Sequence, residues 1–179
     1  MSDGTSAAVK APALNDLGEV HLCAEVYATH QDKVLMHRRS ETKNRFPGYL
    51  IGPGGHVDEG EDIVVAAARE VKEETGIIVP LSSLRLRVVS IHHHLDTHTI
   101  WVCWIYRADL DTVQGNLQSS DEGTSEWISL EGLMREAKVF PPSREYFEHV
   151  LNDDTGMLYT NSEWSANQLV RNLSRTVVR

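Results

Sequence analysis

Three glutamates stand at 70, 73 and 74, spaced i, i+3 and i+4, inside a stretch from 62 to 75 that contains no glycine or proline. Ile63, Val64, Ala67, Ala68 and Val71 recur there at helical spacing, so the stretch predicts an amphipathic helix with the carboxylates gathered on a separate face. Like charges one turn apart weaken a helix unless a cation lies among them. A hard divalent ion meets that need: Mg2+ takes a few carboxylate oxygens and fills its remaining positions with water and substrate phosphates. A solvated helix face is the plain alternative. Gly-Pro-Gly-Gly at 52–55 decides against it, because a glycine turn lets backbone approach a ligand and offers the Gly55 carbonyl as a further oxygen. Arg69 adjoins Glu73 around the helix and can brace the cluster, while Gly76 followed by Pro80 ends the helix.

The elements around this helix follow from pattern. Residues 20–29 alternate, with Val20, Leu22, Ala24, Val26 and Ala28 on one side, and predict a strand; 33–37 return as its partner after a turn at Gln31-Asp32. Arg38, Arg39, Lys43 and Arg45 then form a basic stretch before Phe46-Pro47-Gly48, the natural counterpart for substrate phosphates that acidic groups cannot hold alone. Residues 84–95 predict a strand with one wet face, and 99–107, apolar on both faces, a central strand. His92, His93, His94 and His98 lie between them. Adjacent strand residues point to opposite sides, so a hairpin with one histidine lining a pocket is expected rather than a zinc site. Asp109 to Ser125 reads as an acidic loop, 126–130 as a short strand leading into a helix, and 143–152 as another helix.

In one-letter code the stretch from Gly55 to Ile77 is GHVDEGEDIVVAAAREVKEETGI. Written as G-x5-E-x7-R-E-U-x-E-E-x-G-U, with U aliphatic, it resembles the Nudix box at every position and without a gap. The resemblance implies an α/β fold, the Nudix α/β/α sandwich with a mixed β-sheet between helices. It also implies water attack on a phosphorus of a nucleoside diphosphate derivative, with Mg2+ or Mn2+ as cofactor. It assigns Gly55, Glu70, Glu73 and Glu74 to the metal and gives Glu61 a supporting role. It makes Arg69, Glu70 and Glu73 catalytic, with an acid from the loop before Glu126-Trp127 completing the site; Glu122 is the choice there. Glu70 or that loop acid takes the proton. Arg39 is the leading phosphate ligand, beside Arg38, Arg45, Gly54 and Arg144. Sequence marks of the ADP-ribose, dinucleoside polyphosphate, NADH and coenzyme A branches are absent or faint. What remains is similar to the MutT-like nucleoside triphosphate pyrophosphohydrolases, through Arg38-Arg39, Glu126-Trp127 and Phe140-Pro141-Pro142. The alternatives are another nucleoside diphosphate-linked substrate (ADP-ribose, a nucleotide sugar, a dinucleoside polyphosphate) or a Nudix domain that senses nucleotides without catalysis. Two departures bear on the base. Gly52 replaces a phenylalanine that commonly walls the pocket in MutT-like proteins, and Arg144 replaces an asparagine. A wide pocket with a donor-only reader predicts broad nucleotide use.

The bulk composition is consistent with this. A net charge of −9 argues against wrapping long nucleic acid, whose binding depends on phosphate neutralisation, but not against a small nucleotide arriving with its cation. Cys23 and Cys103 fall in strand-like runs and read as free buried thiols, which suggests a reducing cytoplasm. No apolar run approaches the roughly 20 residues that cross a bilayer, and no signal peptide pattern opens the chain. Residues 1–18 read as a flexible leader, 19–155 as the domain, and 156–179 as a tail or helix able to serve a homodimer contact.

Overall fold

The computed structural model describes residues 18–152 and 156–179. The leader expected at 1–18 therefore falls almost wholly outside the described residues. In chain order the elements are strands β1 (Glu19–His30), β2 (Lys33–Arg39), β3 (Leu50–Ile51) and β4 (Gly54–His56), helix α1 (Ile63–Thr75), strands β5 (Ile77–Ile78), β6 (Leu84–His94), β7 (Thr99–Asp109), β8 (Gln114–Gly115), β9 (Ser119–Ser120) and β10 (Gly123–Ser129), helices α2 (Leu130–Arg135), α3 (Pro141–Arg144) and α4 (Phe147–Leu151), and strands β11 (Met157–Ser165) and β12 (Gln168–Val178).

The main sheet runs β12-β11-β6-β7-β1-β2-β10-β9 and is mixed: β1 lies parallel to β7 and β11 parallel to β6. Helix α1 packs Ala67 and Val71 against Ala24, Val26 and Ala28 on one face. On the other, Leu133, Tyr146, Phe147 and Val150 from α2 to α4 cover Tyr27, Val88, Ile105 and Leu158. Helices on both faces of a mixed sheet make the expected α/β/α sandwich. No helix among the described residues is long and apolar enough to cross a membrane.

β1 is central, and this changes its reading. Val20 and Leu22, on the supposed inner row, are 48% and 41% exposed, whereas Cys23, Glu25 and Tyr27 on the opposite row are buried. A strand sandwiched between two helical layers buries both rows. Beyond Glu25 its second partner switches: β4 pairs with Cys23 to Glu25, β2 with Thr29 and His30, and the Val26 amide donates to the Pro53 carbonyl at 2.9 Å between them. That switch brings the glycine turn onto β1.

Two other segments depart from expectation. The helix foreseen over 143–152 is split at Tyr146 (φ −137°), whose ring turns into the core. The C-terminal segment is neither tail nor helix but a hairpin, β11 and β12, joined through Ala166 and Asn167, both at positive φ. Leu158, Thr160, Ser162 and Trp164 form its buried row. Two of these four are hydroxyl residues, so hydropathy conceals a period of two that the backbone obeys.

Candidate functional site

Helix α1 is held at both ends by its own sequence. The Asp62 carboxylate accepts from the Val64 amide at 2.9 Å, and Gly76 takes φ 75°, the left-handed cap that glycine adopts without a Cβ penalty. Burial of Ala66, Ala67, Val71 and Thr75 fixes the helix's rotation. Glu70 and Glu74, one turn apart, then face Gly54 and Gly55 on β4. The Gly54 amide donates to Glu74 Oε2 at 2.9 Å. A Cβ on Gly55 would stand 2.5 Å from the Glu70 carboxyl carbon, so only glycine allows this approach.

Arg69 braces the acidic cluster. Its guanidinium grips Glu61 through Nε at 3.0 Å and Nη2 at 2.8 Å, reaches Glu70 at 2.8 Å and Glu73 at 3.1 Å, and donates to the His56 carbonyl at 3.0 Å. The Arg69 contact holds the Glu61 carboxyl below the usual range. Burial pushes Glu70 up against Arg69's opposing pull. Glu74 is pushed up to about 8, first by burial and then by the charges of Glu70 and Glu122.

Glu70 and Glu74 line a cavity of about 530 Å³, with Glu122 and Arg39 also on its wall. The cavity floor is the sheet face beyond the covered core: Cys23 and Glu25 of β1, Trp101 and Cys103 of β7, His92 and His94 of β6. Phe46 and Phe140 stand edge to face, centroids 4.8 Å apart, and form an apolar wall. Among the described residues no three His, Cys, Asp or Glu side chains are gathered closely enough to cage an ion by themselves. The donors nonetheless fit a hard divalent cation of the Mg2+ kind: two half-buried, mutually repelling carboxyls beside the Gly55 backbone, with coordination positions left for water and phosphate.

The structure divides the residues singled out by sequence. Glu70, Glu74, Gly54, Gly55, Glu122, Arg39 and Arg45 all line the cavity. Glu73 lies outside that lining, exposed and tied to Arg69. Glu122 is paired with Lys43 at 2.8 Å, which holds its carboxyl below the usual range. Arg38 lies outside the cavity lining. It points away from Arg39 along β2, as neighbours in a strand must, and binds Glu126, Glu136 and the Gly48 carbonyl. Arg144 is likewise outside the cavity wall, with its guanidinium donating to the Glu136 carbonyl. Arg45 reaches the C-terminal hairpin, donating to Asn167 Oδ1 at 3.0 Å. Two histidines of the β6–β7 hairpin, His92 and His94, line the cavity rather than one, and His56 of β4 joins them. His92 is buried between the Ser90 and Ser162 hydroxyls, and burial lowers it to about 3, so it is neutral.

Gly52 also needs correction. It opens no space, because a Cβ there would meet Glu25 Oε1 at 2.5 Å. The volume left by the missing side chain is filled by the Glu25 carboxyl. Sequence reasoning passed over Glu25, although a lone acid within the apolar run Cys23 to Ala28 was a signal.

The NUDIX domain profile matches residues 20–150. The chain belongs to the NUDIX family. It is similar to a MutT protein of Bacillus halodurans, with a TM-score of 0.71 over 88% of this chain and 97% of that one; at 24% identity this is a likeness of fold. Among curated relatives it is 51% identical over 45 residues to the m7GpppN-mRNA hydrolase NUDT17 of Xenopus laevis, covering 25% of this chain and 15% of that protein. It is 34% identical over 103 residues to an ADP-ribose pyrophosphatase of Methanocaldococcus jannaschii, covering 57% of each. It is also 34% identical over 104 residues to the 8-oxo-dGDP phosphatase NUDT18 of Mus musculus, covering 56% of this chain and 28% of that protein. The chain thus spans between about a seventh and three fifths of the length of these curated relatives.

Proposed function

We propose that this Nudix domain hydrolyses nucleoside diphosphate derivatives with a divalent cation, Mg2+ or Mn2+, and that its substrate is a nucleoside triphosphate cleaved to a monophosphate and pyrophosphate. The observation that carries this reading is one cavity lined both by two half-buried carboxyls, Glu70 and Glu74, and by aromatic rings. The first suits a phosphate chain with its cation and the second suits a nucleoside. When bound, the cation supplies charge neutralisation on phosphate oxygens and lowers the pKa of coordinated water.

The remaining work falls to the chain's own residues. Arg39, on the cavity wall, contacts a phosphate through a charge-assisted, forked hydrogen bond. The aromatic walls orient the nucleoside. Glu70 takes the proton of the attacking water as the new P–O bond forms and the old anhydride oxygen leaves with the departing phosphate group. Burial makes Glu70 a stronger base than Glu122, which Lys43 holds low. Arg69 keeps the Glu70 carboxylate aimed.

The relatives' names keep a second substrate reading in play, a nucleoside diphosphate joined to another group such as ADP-ribose. The test is chromatographic analysis of the products formed from nucleoside triphosphates, nucleoside diphosphates, ADP-ribose and a dinucleoside polyphosphate, with orthophosphate release from the triphosphates followed with and without added inorganic pyrophosphatase. Release from triphosphates that requires the pyrophosphatase supports the proposal. Exclusive cleavage of ADP-ribose or a dinucleoside polyphosphate replaces the substrate, and no cleavage of any of them with either cation removes the enzymatic reading.

A further inference from the structure

Helix α1 covers only part of its face of the main sheet. Under it Ala24, Val26 and Ala28 of β1 and Tyr106 and Ala108 of β7 are buried, and Trp104 at the margin is only partly so. Beyond Trp104 the same face continues across β7, β6, β11 and β12. Leu22 of β1 lies beside Val102 of β7 and then Ile91 of β6, and Val20 lies beside Ile100. The row through Trp104 runs on to Tyr159 of β11. Val20, Leu22 and Tyr159 are exposed, and Ile91, Ile100 and Val102 are only half-buried.

A solvated face of a sheet normally alternates to polar side chains. This one is aliphatic and aromatic. Its width owes much to the C-terminal hairpin, which lies beyond residues 20–150 matched by the domain profile. Five strands about 4.8 Å apart make the face about 24 Å wide, and three rows of side chains make it about 20 Å long, so its area is roughly 500 Å². Its charged groups, Glu163 and Arg171, pair with each other at 2.8 Å beside His93.

We propose that this face joins two copies of the chain in a two-fold dimer, the same patch of each lying against the other. Shape selects the occupant. A helix is about 10–12 Å across and would cover about two of the five strands. A second sheet of the same twist matches all five, packing about 10 Å away with side chains interdigitated. A second copy carries such a sheet with the same apolar rows, and the isologous contact closes on itself. Two patches remove about 1,000 Å² from water, enough for a reversible specific contact. Charge permits it as well: each copy carries −9 overall, but the joined faces hold one acid and one base apiece, already neutralised. Leu22, Ile91 and Val102 alternate with Cys23, His92 and Cys103 of the cavity floor, so the dimer leaves both cavities open on the far side of the sheet. The inference is independent of the nucleotide reading.

The test is sedimentation velocity of the full chain from about 1 to 100 µM, a range that spans reversible contacts of this size. A concentration-dependent dimer is expected. Leu22→Lys and Tyr159→Lys should each raise its dissociation constant at least tenfold, since each would bury an unpaired ammonium. Met134→Lys, at an exposed position on α2 across the sheet, should leave it unchanged. A chain that stays monomeric throughout overturns the proposal and leaves the face to another segment or another protein. A dimer unaffected by Leu22→Lys and Tyr159→Lys overturns it too, because the contact then lies elsewhere. Where a lysine variant fails to fold, Tyr159→Ser removes the ring without adding charge; it must weaken the dimer, and an unchanged dimer overturns the proposal.

Discussion

At the acidic end of the cavity, Arg69, Glu70 and Glu74 come from one helix and are aimed by its 3.6-residue period and by the burial of Ala67 and Val71. Elsewhere on the cavity wall, Glu25 comes from β1, Gly52 from the loop after β3, and Ser143 and Tyr146 from more than a hundred residues further along the chain. Both groups withdraw carboxyls from water, Glu25 fully and Glu70 and Glu74 in part, but they differ in the partners that face them. Arg69 supplies full charge beside Glu70, and a bound cation would supply more. Around Glu25 only neutral donors gather.

The largest effect that would break this comparison lies at the acidic end. Glu70→Gln should lower kcat by about 10²–10⁴-fold, the usual contribution of a positioned base, with an unchanged circular dichroism spectrum. A full-rate Glu70→Gln protein together with an inactive Glu122→Gln protein would move the base to the loop. Chelation by EDTA should abolish turnover in the unaltered protein.

The next effect is one of stability. The folded pKa of Glu74, about 8, lies above its ordinary value, so the folded state binds more protons and loses stability as pH rises towards and through 8. In EDTA, Glu74→Gln should therefore melt higher than the parent at pH 9, by about 2–4 °C for each kcal/mol of relieved cost. The difference should vanish well below the ordinary carboxyl value of 4.5, where Glu74 is protonated in both states. Thermal melts across pH check this, and a variant that melts lower at pH 9 would show that the carboxylate is not the penalised form.

A third comparison uses neighbouring arginines on β2. Arg39→Ala should raise KM for a triphosphate about tenfold, the cost of one charge-assisted contact. Arg38→Ala should leave KM within about twofold and lower the melting temperature, since it frees Glu126 and Glu136. Equal effects on KM would return both to the phosphate site. The smallest effect is at the hairpin turn. Asn167→Ala removes the exposed tether on Arg45 and should raise KM about two- to threefold, within the range of an exposed polar contact; an unchanged KM would detach the hairpin from the site.

The legible part of the site coincides with local order. Glu70 and Glu74 are related by helical geometry alone, the glycines at 54 and 55 precede them directly, and Arg69 sits next to what it braces. Arg38 and Arg39 were legible as cations but not as a choice between them, because the period of a strand says that they diverge and not which one faces the ligand. The C-terminal hairpin was misread because Thr160 and Ser162 occupy its buried row, where hydrogen bonds to Ser90 and His92 replace hydropathy as the reason for burial.

By itself the amino-acid sequence determined the family, the helix with its caps, and the acids on that helix, since each depends on residues a few positions apart. Tertiary structure alone decided the rest. It made β1 central, and so turned Glu25 inward. It closed Gly52 by placing Glu25 against it, drew Arg144 away to Glu136, and brought Asn167 to Arg45. These outcomes depend on which strand lies beside which, a property of the whole sheet, and no local period or propensity encodes it.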